Sequence, residues 1–512
     1  MTAREAVESL LREQLGFRGF RPGLEEEARV AADALERSPG ARRDLTELDT
    51  FTVDPATARD FDDAVSAQRE GDGARVWIHI ADVAAHVRPG SGLDREARRR
   101  ANSTYVPGAV EPMLPHALSS EACSLVPGVE RLAVTTEIEL GPGGRPRAAS
   151  FYRSRIRSDA RLNYEELDEI FSGRVEPPAR VAEPLAAARE VAAALAERRS
   201  ESSLAVESAE PEFRFDAKGN VTGAHSVPQT ESHRLIERLM ILTNEQVAEL
   251  LERRRVATIF RVHPQPDPTR IERMLEQLAA LGVPTPPVGQ NLAPGEAGRV
   301  AAEASRLVLA EAKRRGHGRE AYTSLVLRSL KQATYSERNS GHAGLGSAAY
   351  CHFTSPIRRY PDLVVHRALL AALGEGEAAP RLSEAREAAA HCSERERASA
   401  RIEHEADDVC AAYLLESELA ERGRKTVFEG EVSGAIKAGA FVAFGGELGD
   451  VYEGFLPARR LPGEYFGLDR AEVALVGRRS GKAVRLGDPI SVRVAGVEPS
   501  RGRAELEPDT DE

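Results

Sequence analysis

Between two stretches that alternate like β-strands, the chain runs Asp54-Pro-Ala-Thr-Ala-Arg-Asp60-Phe61-Asp62-Asp63, four carboxylates in ten residues. Thr50-Phe51-Thr52-Val53 before it has the period of a strand, and Pro55 breaks that period, so the remaining acids crowd onto the turn that follows. Four like charges that close repel one another by kilocalories unless water or a cation screens them. Two readings are open. A solvated acidic turn is common and needs no ligand. A cluster of hard oxygen donors equally suits Mg²⁺ or Mn²⁺, which take carboxylates together with water and phosphate oxygens. The rest of the chain decides between them.

With 512 residues there is room for several domains, and 41% hydrophobic with 29% charged residues is the balance of an ordinary globular protein. No segment approaches the roughly 20 apolar residues of a membrane span. The N-terminus, Met1-Thr-Ala-Arg-Glu-Ala-Val-Glu-Ser-Leu-Leu11, reads as an amphipathic helix and not as a secretory leader, so a cytoplasmic protein with no membrane partner is expected. Cys123, Cys351, Cys392 and Cys410 have no CxxC spacing and are expected to be reduced, most of them buried. The net charge of −12 repels nucleic acid from the molecule as a whole, so such a ligand would need a locally basic path. Three clusters offer one: Arg95, Arg98, Arg99 and Arg100; Arg153, Arg155, Arg157 and Arg161; Arg358, Arg359 and Arg367. Each alone reads as a solvated face; together they favour an anionic substrate.

Residues 1–42 read as one or two helices, too short to bury a core alone, leading into the body of the chain. A hairpin then turns at Gly71-Asp-Gly73 and carries the acids at one end, and further strands are expected over Ala133–Leu140 and Ala148–Ile156. The middle is mostly helical, with amphipathic stretches at Ser232–Glu252, Arg270–Leu281 and Ala301–Arg314. Glu237 and Asn244 lie two turns apart on the first of these, so both can face one site. His352-Phe-Thr-Ser355-Pro356-Ile-Arg358-Arg359-Tyr360-Pro-Asp362 is a loop entering a helix, where an Arg pair beside a helix N-terminus suits an anion; a surface turn is the alternative. Residues 383–422 form a long charged helix or helix pair. From Thr426 short glycine-punctuated strands suit a five-stranded OB-type barrel over residues 426–508, whose aromatics Phe441, Phe444, Tyr465 and Phe466 either stack bases or fill the barrel core. The acidic tail 509–512 is expected to be disordered.

These residues resemble the RNase II/RNase R exoribonucleases. The resemblance rests on Asp54-x5-Asp60-x-Asp62-Asp63, Ile78-His-Ile-Ala-Asp82-Val, Leu93-Asp-Arg-Glu-Ala97, Tyr105-Val-Pro, Pro112-Met-Leu-Pro115, Cys123-Ser-Leu125, Ser232-His-Arg-Leu-Ile-Glu237, Phe260-Arg-Val-His263, Gly341-His342 and His352 to Asp362, in order along the chain. It implies an α+β fold: an RNB-type mixed sheet surrounded by helices over residues 43–425, followed by an S1-type barrel. It implies a monomeric, metal-dependent 3′-to-5′ exoribonuclease that degrades single-stranded RNA, not DNA, processively to nucleoside 5′-monophosphates. By the motifs, Asp54, Asp60, Asp62 and Asp63 would hold two Mg²⁺, with Mn²⁺ possible in their place; Asp62 and Asp60 would be catalytic, and Arg358 would neutralise charge on the phosphorane. Tyr164 would hold the terminal nucleotide, Glu237 would contact the RNA end, and Tyr105 would stack on a base.

Three departures from the family pattern carry expectations. The first motif lies at Asp54, which leaves no room in this sequence for the family's two N-terminal cold-shock domains and predicts weaker RNA binding, with entry past the barrel. Where the family's second stacking aromatic stands, Ser203-Leu-Ala-Val206-Glu207-Ser208 offers Val206. The basic tail of the structured-RNA degraders is replaced by an acidic one. A non-catalytic RNA-binding protein on the same scaffold is the alternative; four metal-gathering acids, which raise the cost of approaching phosphate, disfavour it. A phosphoesterase for small molecules is disfavoured by the basic clusters and the barrel, neither of which serves a small substrate.

Overall fold

A computed structural model describes the whole chain except residues 38–39, 200–203, 205–209, 290–291, 376–377, 446–450 and 510–512. The opening segment is two helices, α1 (Ala3–Leu15) and α2 (Pro22–Arg37), separated where Gly16 takes the left-handed conformation at φ 70°. A seven-stranded sheet follows, built from β1 (Arg43–Asp44), β2 (Phe51–Asp54), β3 (Asp63–Glu70), β4 (Gly73–Ala81), β7 (Glu130–Gly141), β8 (Arg145–Arg157) and β9 (Ala160–Asn163) in the order β1-β8-β7-β4-β3-β2-β9. The β3–β4 and β7–β8 hairpins fall where the alternation predicts them. The sheet is mixed because β1 joins β8, and β9 joins β2, in parallel. Between β4 and β7 lie the short helix α3 (Val83–His86), α4 (Gly92–Arg100) and the hairpin β5 (Thr104–Val106) and β6 (Ala109–Glu111).

Helices α5 (Tyr164–Phe171), α6 (Ala182–Arg199), α7 (Glu231–Arg254) and α11 (Tyr360–Leu373) pack around the sheet, α8 (Pro268–Ala280), α9 (Pro294–Arg315) and α10 (Arg319–Ser329) form a separate apolar core, and two small antiparallel pairs complete this part: the hairpin β10 (Glu210–Phe215) with β11 (Val221–Val227), and β12 (Phe260–Val262) with β13 (Thr334–Ser336), which flank α8–α10 in sequence. The main core joins the inner sheet face, Phe51, Val65, Ile78 and Ile80, to Leu235, Leu239 and Leu242 of α7 and Leu363, Val365 and Leu369 of α11. One helix, α12 (Leu382–Arg422), covers the charged stretch that allowed either one helix or two.

The C-terminal strands β14 (Val427–Ile436), β15 (Gly439–Phe444), β16 (Tyr452–Pro457), β20 (Pro489–Glu498) and β21 (Arg503–Pro508) close a barrel, as expected. A three-stranded sheet, β17 (Phe466–Leu468), β18 (Ala474–Gly477) and β19 (Ala483–Arg485), interrupts it and was not anticipated. The barrel shares one apolar core with α1 and the second half of α12. All four cysteines are buried free thiols. Among the described residues no helix is long and apolar enough to cross a membrane.

Candidate active site

The acid turn connects the adjacent strands β2 and β3, and its shape is held from outside. Phe61 donates its backbone N–H to Ser124 Oγ at 3.0 Å, and that hydroxyl donates to the Arg59 carbonyl at 2.9 Å. Arg161, at the start of β9, donates to the carbonyls of Ala56 and Pro55 at 2.8 and 3.2 Å and lies over the Phe61 ring. Ser124 belongs to a motif, but neither it nor Arg161 was singled out for this role: a hydrogen bond to a distant backbone carbonyl leaves no mark on spacing.

A cavity of about 450 Å³ opens above the turn, and Asp54, Asp60, Asp62, Asp63, Tyr105, Tyr164, Glu237, Asn244 and Arg358 all line it. Residues far apart in sequence thus meet as the motif order predicts. Asp62 is 3% exposed. Its Oδ1 accepts the Ile357 N–H at 2.8 Å, while its Oδ2 stands 3.6 Å from Arg358 Nε with no hydrogen-bond partner. Asp54 Oδ2 is likewise buried without a partner. Tyr105 donates its hydroxyl to Asp60 Oδ2 at 3.1 Å. Tyr164, first residue of α5, stacks on His233 with centroids 3.9 Å apart and planes 13° from parallel.

Burial dominates the electrostatics. It pushes the Asp54 carboxyl up to about 8, helped by the charges of Asp63 and Asp60 and opposed by Arg161 and Arg358. It pushes Asp63 up to about 6 against Arg358 and Arg359, and Asp62 well above the carboxylate range against Arg358 and the Ile357 N–H. A cluster in this state lacks positive charge, and two buried, unpartnered carboxylate oxygens are where it is missing. Among the described residues no three acidic, histidine or cysteine side chains stand close enough to hold an ion alone. The donor set therefore fits a hard cation that keeps water and substrate oxygens in its shell, the habit of Mg²⁺, and not an all-protein cage.

The other sequence expectations divide. The Arg358–Arg359 pair is not one anion site: Arg359 is bidentate to Asp362 at 2.9 and 2.7 Å, whereas Arg358, 46% exposed, faces the acids. The two remaining arginine clusters do not form a free basic path. Arg100 is buried against Glu96 and Glu111, Arg153 pairs with Asp82, Arg155 with Asp44 and Arg157 with Glu47; in the cluster of Arg358, Arg367 is likewise paired, with Asp94. Phe444 is wrong as an RNA-stacking candidate: it is 0% exposed and packs edge-on against Phe428 inside the barrel. Phe466 is also core. Phe441 is half-buried against Phe455, and Tyr465 is 64% exposed with Arg478 over its ring. Val206 lies outside the described residues.

Comparison with known proteins places this geometry. The family model described as "RNB domain" matches residues 42–375. Ribonuclease R of Escherichia coli is 35% identical over 93% of the chain and 57% of its own length, and ribonuclease R of Aquifex aeolicus is 34% identical over 94% and 67%. The structure of Mycoplasma genitalium RNase R in complex with ribose-methylated single-stranded RNA superposes with a TM-score of 0.89 at 26% identity, covering 98% of this chain and 77% of that one. The chain thus spans little more than half the length of the E. coli protein. A match through the sheet, the acid turn and the Arg358 loop settles the family: the chain belongs to the RNB-domain family, alongside the ribonucleases R it resembles.

Proposed function

We propose that this chain hydrolyses single-stranded RNA from the 3′ end, processively, releasing nucleoside 5′-monophosphates. The observation that carries the reading is the pairing of two buried, unpartnered carboxylate oxygens, on Asp54 and Asp62, with a half-exposed guanidinium, Arg358, in one cavity. A cluster short of positive charge, beside a cation able to meet an anion, suits a phosphodiester.

Asp54, Asp60, Asp62 and Asp63 would hold Mg²⁺ or Mn²⁺, which when bound supplies positive charge for an attacking water and a leaving 3′ oxygen. The chain's own residues do the rest. Tyr164, backed by His233, forms one wall against which the terminal nucleotide rests, and Tyr105 offers a second ring for a base. Glu237, exposed on α7, reaches the RNA end from a third side. Arg358, held by the Ser355 hydroxyl at 3.2 Å, meets charge that grows on the phosphoryl oxygens. Tyr465 and the exposed edge of Phe441 are the barrel's candidates for stacking upstream bases.

Incubation with 5′-labelled poly(A) and Mg²⁺, beside Asp62→Asn, tests this. The expected result is a ladder shortening from the 3′ end with the natural protein and intact RNA with the variant. RNA retarded on a gel but never shortened by the natural protein would overturn it in favour of a binding role.

A further inference from the structure

The Arg358 loop has no regular structure of its own, yet alternate backbone N–H groups along it are each accepted by a buried side chain from a different element. Phe353 N–H goes to Asn244 Oδ1 of α7 at 2.8 Å, Ser355 N–H to Asp362 Oδ1 of α11 at 2.8 Å, and Ile357 N–H to Asp62 Oδ1 of the acid turn at 2.8 Å. All three acceptors are nearly inaccessible, at 2%, 0% and 3% exposure. Two of them have another reason to be present: Asp62 belongs to the acid turn and Asp362 neutralises Arg359. Asn244 has no such second role. It carries no charge, and its amide donates to the Tyr350 hydroxyl at 3.1 Å, which leaves its oxygen free only for the loop.

We propose that Asn244 is a positioning residue for Arg358: it fixes the upstream end of the loop so that the guanidinium stands at the acids. The inference rests on the role given to Arg358 above. Loops place polar groups to within the tolerance their anchors allow, and a displacement of about 1 Å at a reacting centre can cost about 100-fold in rate. With the Asn244 acceptor gone, the side-chain hydrogen bonds left on residues 353–355, His366 Nε2 with the Phe353 carbonyl at 2.8 Å and the Ser355 N–H to Asp362, both come from α11, so Ser355, whose hydroxyl holds the guanidinium, is no longer tied to α7. Asn244 lines the cavity, but its polar atoms are spent on the protein, so its loss should change turnover and not RNA affinity.

The test compares Asn244→Leu, which keeps the volume and removes the acceptor, with Asn244→Asp, which keeps an acceptor oxygen, and Tyr350→Phe, which removes only the second contact. Turnover at saturating 5′-labelled poly(A), RNA affinity in chelator and amide exchange across residues 352–359 are measured for each. Expected for Asn244→Leu are a roughly 10- to 100-fold fall in kcat, an affinity within about twofold, faster exchange in the loop, and no further loss when it is added to Arg358→Ala. Asn244→Asp recovers most of the kcat, and Tyr350→Phe stays near the natural protein. An unchanged kcat in Asn244→Leu, a loss that multiplies in full with that of Arg358→Ala, or equal losses in affinity and turnover would overturn the proposal. If Arg358→Ala alone turns over normally, it is the role of Arg358 that fails, and the anchor is then judged on the exchange rates, where an unchanged loop sinks it as well.

Discussion

Replacing Asp54 by Asn is predicted to stabilise the metal-free protein at pH 8 and to do nothing of the kind at pH 5. Burial beside Asp63 and Asp60 holds the folded-state carboxyl at about 8, against 3.8 in the unfolded chain. The folded state therefore binds a proton that the unfolded state releases. The group costs nothing below about pH 4, and stability falls as pH rises from there to about 8, beyond which the cost is constant. Four units correspond to roughly 6 kcal/mol, an upper bound because neighbours and water relax around the charge. Asparagine removes that cost but buries an amide where Asp54 Oδ2 has no partner, a penalty of about 1–3 kcal/mol. The balance is roughly 3 kcal/mol in favour of Asp54→Asn at pH 8 and about zero at pH 5. Thermal unfolding in chelator reads it directly: at about 2 °C per kcal/mol for a large domain, the melting temperature should rise by about 6 °C at pH 8. Adding Mg²⁺ should narrow the gap, because the cation stabilises the natural cluster more than the variant. An Asp54→Asn effect of the same size and sign at both pH values would refute the reasoning.

Three further outcomes follow from particular contacts. Asp82 is wholly buried between Arg42 at 2.7 Å and Arg153 at 3.0 Å, so Asp82→Ala should cost about 3–5 kcal/mol in a denaturant titration by stranding a buried arginine. The arginines, working against burial, hold the Asp82 carboxyl below its ordinary value, so its stabilisation is present above about pH 4 and fades on acidification. Phe444→Ala should destabilise the barrel by about 3–5 kcal/mol, whereas Tyr465→Ala should leave the melting temperature alone and weaken RNA retention by about 1–3 kcal/mol. If the proposed stacking of Tyr105 holds, Tyr105→Phe should keep the length of the final product and Tyr105→Ala should lengthen it on a sequencing gel, because stacking needs the ring and not its hydroxyl.

The hairpins, the acid turn and the barrel strands were legible because each rests on local period and turn chemistry: Glu70 pairs with Gly73 across the two-residue turn that Gly71 permits at φ 58°. At Phe444 the strand period already excludes stacking. Phe441 and Phe444 are three residues apart on one strand, and alternation sends them to opposite faces; Ala440, Val442 and Phe444 all point inward. The arginine clusters mislead for a different reason. A run of charges shows which residues are cationic but not that the acid neutralising Arg153 is Asp82, at the end of a strand two places away in the sheet. Helical period alone turns Asn244 toward the site, which is right for its Cβ and silent about its amide. The three small strands between β16 and β20 left no signal, since runs of three or four residues carry too little period to read.

Helix α12 sets a phase relation between the two halves of the molecule. Its first turns bury Ala385, Ala388 and Cys392 in the core under the acid turn, while Ile402, Val409 and Leu415 lie in the barrel's core, and Glu403 midway accepts the Tyr105 backbone N–H at 2.8 Å. With 41 residues in one uninterrupted helix, the two ends are geared together over about 60 Å. One residue inserted near Arg401 would turn the barrel by about 100° about the helix axis and carry its aromatic face off the line of the cavity. Seven would bring that face back to within about 20° but some 10 Å farther out. The distance between the cavity and the barrel is thus written into the pitch of one helix.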